Sequence, residues 1–109
     1  MTAAVLTGDL VKSSKAGRAA LESAFGVLRA GCDRLEAWHG APLRLTRHRG
    51  DGWQCLLDRP HLAMRSLLYL MAALRAADAL ETRIGLGIGA VSARGTGDLA
   101  DADGMAFRR

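Results

Sequence analysis

The stretch LRLTRHRGDGWQCLL, residues 43–57, narrows the possible folds more than any other part of the chain. Two short strand-like runs, 43–48 and 53–57, flank Arg49-Gly50-Asp51-Gly52. Gly and Asp tolerate positive φ, so this is hairpin chemistry. On either side of the hairpin the apolar period changes from two to between three and four. Before it, Leu21, Phe25, Leu28, Cys32 and Leu35 predict a long helix, with Ser13 or Ser14 as N-cap and Gly40 and Pro42 as its stop. After it, Asp58 and Pro60 open a second helix running to about Ala77, with Met64, Leu67, Leu68, Met71 and Leu74 on its apolar side. Two more strands close the pattern. One is AAVLT, residues 3–7, ended by Gly8; the other is TRIGLGIGAVS, residues 82–92. The order βαββαβ predicts an α+β fold of ferredoxin-like type, a four-stranded antiparallel sheet with both helices on one face.

With 109 residues, half of them apolar, the chain has enough material for one domain with its own core. Residues 93–102 read as a loop and DGMAFRR, 103–109, as the start of a helix, so the pattern stops before the last elements of a domain of this kind. The longest apolar run, LLYLMAAL at 67–74, is too short to cross a bilayer, and no signal-peptide pattern opens the chain. The expectation is a cytoplasmic protein with no membrane partner. Cys32 and Cys55 sit in apolar settings without metal-ligand spacing and read as buried free thiols. The formal charge is +4, and Lys12 and Lys15 are the only lysines among fifteen cations. These charges are spread along the chain and form no stripe. They point to phosphate-bearing partners without selecting polymeric nucleic acid over a nucleotide; no helix carries the concentrated basic face that would favour nucleic acid.

A right-handed crossover places strand three between strands one and two. The end of strand one and the two-three turn then share one sheet edge. Asp9 follows strand one and Asp51 sits in that turn, so two carboxylates distant in sequence converge. Two acids together repel unless a cation joins them. Hard oxygen donors suit Mg²⁺ or Mn²⁺, which take few carboxylates together with waters and substrate phosphates, and the Leu10 carbonyl offers a further oxygen. Two such ions about 3.5–4 Å apart activate an attacking hydroxyl and neutralise a leaving pyrophosphate. Ser13 and Ser14, at a helix start between Lys12 and Lys15, form a seat for a triphosphate. Leu10, Val11, Gly50 and Gly52 belong to the same nucleotide-binding set. The tract lacks the spacing of a Walker A loop.

Taken singly, each Gly-Asp is turn chemistry and paired serines are a helix cap. Their meeting at one edge makes them a candidate site. In the last strand Ile84, Leu86 and Ile88 alternate with Gly85, Gly87 and Gly89, giving one apolar and one bare face. The bare face suits close approach of a helix or another backbone, including that of a second copy. It does not carry the dinucleotide-binding glycine spacing. The second TGDL, at 96–99, reads as a polar turn, and Asp101 and Asp103 as helix caps. His39, His48 and His61 read as structural or exposed, and Trp38 and Trp53 as core or interface.

The segments VLTGDLVKSS, RGDGWQCLL and RIGLGIGAVS…ADGMAFRR, in that order, resemble the SatD-like proteins, a branch of the class III nucleotidyl cyclase and GGDEF palm superfamily. The likeness spans nearly the whole chain. It implies a ferredoxin-like palm, a nucleoside triphosphate substrate or cyclic nucleotide ligand, catalysis at a head-to-tail dimer interface, and two metal ions held at the positions of Asp9 and Asp51. On that likeness a 3′-hydroxyl attacks the α-phosphate and pyrophosphate leaves. The family's transition-state Asn and Arg fall near the end of this sequence, where Ala106 stands at the Asn position and Arg108 or Arg109 near the Arg position. The hairpin carries RGDGW, without the Glu of GGDEF. A non-catalytic nucleotide-sensing or regulatory domain of the same fold is the alternative.

Overall fold

The computed structural model describes residues 2–11, 13–48 and 50–90. Its elements follow the βαββαβ order: β1 (Thr2–Leu10), a single turn of helix α1 (Ser13–Ala16), α2 (Arg18–His39), β2 (Arg44–His48), β3 (Gly52–Leu57), a 3₁₀ turn (Pro60–Leu62) running into α3 (Ala63–Ala76), and β4 (Thr82–Ala90). The sheet order is β2-β3-β1-β4 and every neighbouring pair is antiparallel. Strand three therefore lies between one and two, as the crossover rule predicts.

Alternation along β1 divides its residues between two faces. Ala4, Leu6 and Leu10 join Trp53, Cys55 and Leu57 of β3, Phe25, Leu28, Cys32 and Leu35 of α2, and Ala63, Leu70 and Leu74 of α3 in one buried cluster. Ala3, Val5 and Leu56 belong to the opposite face and are buried as well. The two thiols meet inside the helix-side core, with the Cys32 and Cys55 sulfurs 3.9 Å apart and both unoxidised. The hydrogen bond with Cys32, followed by burial, pushes the Cys55 thiol well above its ordinary value. At the end of α2, His39 Nε2 and Ser66 Oγ lie 2.8 Å apart in the interior and tie the two helices together.

Several boundaries differ from the sequence expectations, each for a local reason. The first strand does not end at Gly8 but continues through Asp9 to Leu10, because both flanking strands pair with it along that length. The long helix does not start at Ser13 or Ser14. Gly17, at φ 91°, breaks the path between α1 and α2, a backbone region open to glycine at little cost. The predicted stop holds, with Gly40 left-handed at φ 67° and its N–H returning to Glu36 O. Helix α3 ends at Ala76, and β4 is described from Thr82 to Ala90, with residues 91 and 92 of the expected strand outside the described residues.

The buried side of α3 is Ala63, Ser66, Leu70 and Leu74 with Leu67 part-buried, while Met64, Leu68 and Met71 are exposed. This helix is apolar around more than half its circumference, so periodicity alone leaves its orientation open. Small residues and a partner for Ser66 select the face that packs. Residues 93–109, with Asp98, Asp101, Asp103, Ala106, Arg108 and Arg109, lie outside the described residues, as does Lys12.

Candidate functional site

Asp9 is the penultimate residue of β1, the strand paired on both sides. Its register partners are Gly52, the first residue of β3, and Arg83, the second of β4. Immediately beyond, Leu10 N–H donates to Asp51 O at 3.0 Å and Val11 N–H to Glu81 O at 2.8 Å. The end of β1 is thus hydrogen-bonded to the β2–β3 turn on one side and to the entry of β4 on the other. The turn itself is braced by Arg47, whose Nε donates to Gly50 O at 3.2 Å. Arg47 also pairs with Glu22 at 2.8 Å and lies 4.1 Å above the Phe25 ring, so α2 anchors the hairpin that carries Asp51.

A buried strut fixes Asp9 from the helix side. The Trp53 side chain starts on β3 and passes across β1 at Gly8, so that its Nε1–H donates to Thr82 Oγ1 on β4 at 3.1 Å. Thr82 Oγ1 in turn donates to Asp9 O at 2.9 Å and lies 3.2 Å from Arg83 O, its single proton shared between the two carbonyls. The crossing requires Gly8. A Cβ at that position would stand 2.4 Å from Trp53 Cε2. The glycine of the Gly-Asp pair is therefore there to admit an indole, and its companion aspartate is held by the hydroxyl which that indole reaches.

On the opposite face the Asp9 carboxylate is half-exposed, and Arg83 Nε lies 3.1 Å from its Oδ1. The two form the polar wall of an open basin of about 560 Å³, lined also by Thr7, Gly8, Ile84 and Gly85. Gly85, on the bare face of its strand, contributes to this basin.

Oxygen donors of this kind fit a hard divalent cation. Asp9 already accepts a cationic group, and Asp51 lies beside it along the backbone. Among the described residues no three His, Cys, Asp or Glu side chains gather into a closed cage. A hard ion such as Mg²⁺ or Mn²⁺ needs only one or two such carboxylates, with waters or phosphates as its other ligands.

No family model matches the chain, and no curated protein matches it. Solved structures do. Two structures of a bacterial light-regulated adenylyl cyclase superpose with a TM-score of 0.57, at 15% and 16% sequence identity, over 96% and 95% of this chain. The fold is nucleotidyl cyclase-like. The present chain corresponds to 35% of each of those longer chains. No helix among the described residues is long and apolar enough to cross a membrane.

Several of the sequence candidates come together and others do not. Asp9, Leu10, Val11, Asp51 and Gly52 are joined by backbone pairing. The Leu10 and Val11 N–H groups are already taken by Asp51 and Glu81 carbonyls, so a phosphate reaching them competes with those bonds. Gly50 is exposed at the tip of the turn with φ 65°. Lys15 is exposed on α1, a single helical turn too short to build the extended dipole expected of the long helix. Sequence reasoning missed Arg83, Thr82 and the bridging role of Trp53. Pairing the Gly-Asp of β1 against the start of TRIGLGIG would have found the first two, whereas the indole's path has no sequence signal.

Proposed function

We propose that this chain is a nucleoside triphosphate-binding palm of the nucleotidyl cyclase type, working with Mg²⁺ or Mn²⁺ at Asp9 and Asp51, and that its motifs place it among the SatD-like proteins. The observation that carries this reading is the junction of Asp9 with the hairpin turn, where β1 pairs with Gly52 and Leu10 N–H bonds Asp51 O, next to a basin in which the Asp9 carboxylate is paired with the Arg83 guanidinium. Asp9 and Asp51 would hold the ion, with the Leu10 carbonyl as a further oxygen. When bound, the ion supplies charge neutralisation for a departing pyrophosphate and lowers the pKa of an attacking hydroxyl.

The protein's own groups supply orientation. The Thr82–Trp53 strut fixes the Asp9 backbone, Arg47 fixes the turn, and Lys12, Ser13, Ser14 and Lys15 with Gly50 and Gly52 provide donors and room for phosphate oxygens. Arg83 adds a guanidinium at the basin wall that suits phosphate by charge and geometry. Dimerisation and a cytoplasmic location accompany this reading.

The test is calorimetric titration with the four nucleoside triphosphates, with and without Mn²⁺, followed by product analysis. Mn²⁺-dependent binding that is lost in Asp9→Asn and Asp51→Asn supports the proposal, and unchanged binding and turnover in both variants refutes it. A second reading, a nucleotide sensor without turnover, draws on two observations: Ala106 stands where the superfamily's catalytic Asn is expected, and the Leu10 and Val11 N–H groups are occupied. Metal-dependent binding with no product after prolonged incubation selects it.

A further inference from the structure

This inference rests on the reading that Asp9 takes a divalent cation, and it concerns how that site is regulated. We propose that Arg83 is a built-in competitor for the ion: its guanidinium occupies Asp9 when no metal is bound, and metal enters only as that guanidinium leaves. The two residues are direct register partners on adjacent antiparallel strands, with Arg83 Nε 3.1 Å from Asp9 Oδ1. Both belong to the face that carries the basin, and both line it. A guanidinium and a divalent cation on one carboxylate repel each other, so occupancy by one disfavours the other.

The geometry makes the exchange a movement of side chains on a fixed backbone. Asp9 is held through its carbonyl by Thr82, which Trp53 anchors from the core. The Arg83 side chain is 76% exposed. An exposed pair of this kind is weak enough to be displaced by a ligand of higher charge. Gly85, the next residue of β4 on the same face, has no side chain, so the basin has space for the displaced arm. Any anion that draws Arg83 aside raises metal affinity, and by linkage the metal raises affinity for that anion by the same factor.

The test is Mn²⁺ binding to the whole chain, read from the electron paramagnetic resonance signal of free Mn²⁺ with no nucleotide present. Wild type is compared with Arg83→Gln, with Arg29→Gln as an equal charge loss on the exposed side of α2, and with Asp9→Asn and Asp51→Asn. Competition predicts binding about two- to fivefold tighter in Arg83→Gln, no change in Arg29→Gln, and loss in Asp9→Asn. Equal or weaker binding in Arg83→Gln, or equal tightening in Arg29→Gln, overturns the competition while loss in Asp9→Asn leaves the metal site standing. Wild-type binding in both aspartate variants overturns the metal reading itself and the competition with it.

Discussion

Gly8→Ala isolates the contact on which the site's geometry depends. An added Cβ would stand 2.4, 2.5 and 2.6 Å from Trp53 Cε2, Cζ2 and Nε1. Ordinary contact begins near 3.4 Å, so strand and indole must separate by roughly 1 Å at a point where Trp53 is fully buried. Overpacking of that kind costs about 1–3 kcal/mol. Pushing the indole off Thr82 forfeits a buried hydrogen bond as well, about 0.5–1.5 kcal/mol. Replacing Gly by Ala in a strand returns about 0.5–1 kcal/mol.

The net loss is about 0.5–4 kcal/mol, centred near 2, which for a domain of this size lowers Tm by about 8–16 °C. Circular dichroism melts and urea unfolding measure it. A double-mutant cycle with Trp53→Leu assigns the cause, because Gly8→Ala should cost little once the indole is gone. An unchanged or higher Tm for Gly8→Ala, or an equal loss in the Trp53→Leu background, refutes the proposed crossing.

Two further perturbations check the core. Burial, reinforced by Arg59 and opposed by Asp58, pushes the His39 imidazole below its ordinary value of 6.5. The folded state then resists a proton that the unfolded chain accepts, so stability is fully present above about pH 6.5 and declines as pH falls below it toward the folded value. The urea midpoint should fall from about pH 8 to about pH 5, and His39→Gln should flatten that slope; an identical slope in the variant excludes His39 as its source. For α3, Leu70→Ala should cost about 2–5 kcal/mol, whereas Leu68→Ala on the exposed side should stay within about 1 kcal/mol. Equal losses in urea unfolding would mean that the helix is rotated from the orientation described.

The hairpin and the crossover rule made the strand order legible, because glycine and aspartate chemistry between two short apolar runs leaves few alternatives. The meeting of Asp9 with the turn follows from that order. The orientation of α3 was not legible: Met64, Leu68 and Met71 have the same period as the packed residues, and only the choice of Ala63 and Ser66 against the neighbouring layers decides between the faces. The true length of β1 was hidden by reading Gly8 as a stop, when its small size serves the indole of a residue forty-five positions later. Arg83 was passed over as one of many scattered arginines, since charge along a chain says nothing about register until the strand pairing is known.

The two carboxylates belong to parts of the chain with different opening free energies. Asp9 is on the central strand, hydrogen-bonded to β3 and β4, so its amide neighbours exchange with solvent only when the sheet comes apart. Asp51 is on a turn whose other strand, β2, is an edge strand of the described sheet and can open locally. One half of the candidate site is therefore a fixed post and the other an adjustable jaw. A ligand that binds both should slow hydrogen exchange in the hairpin far more than in β1.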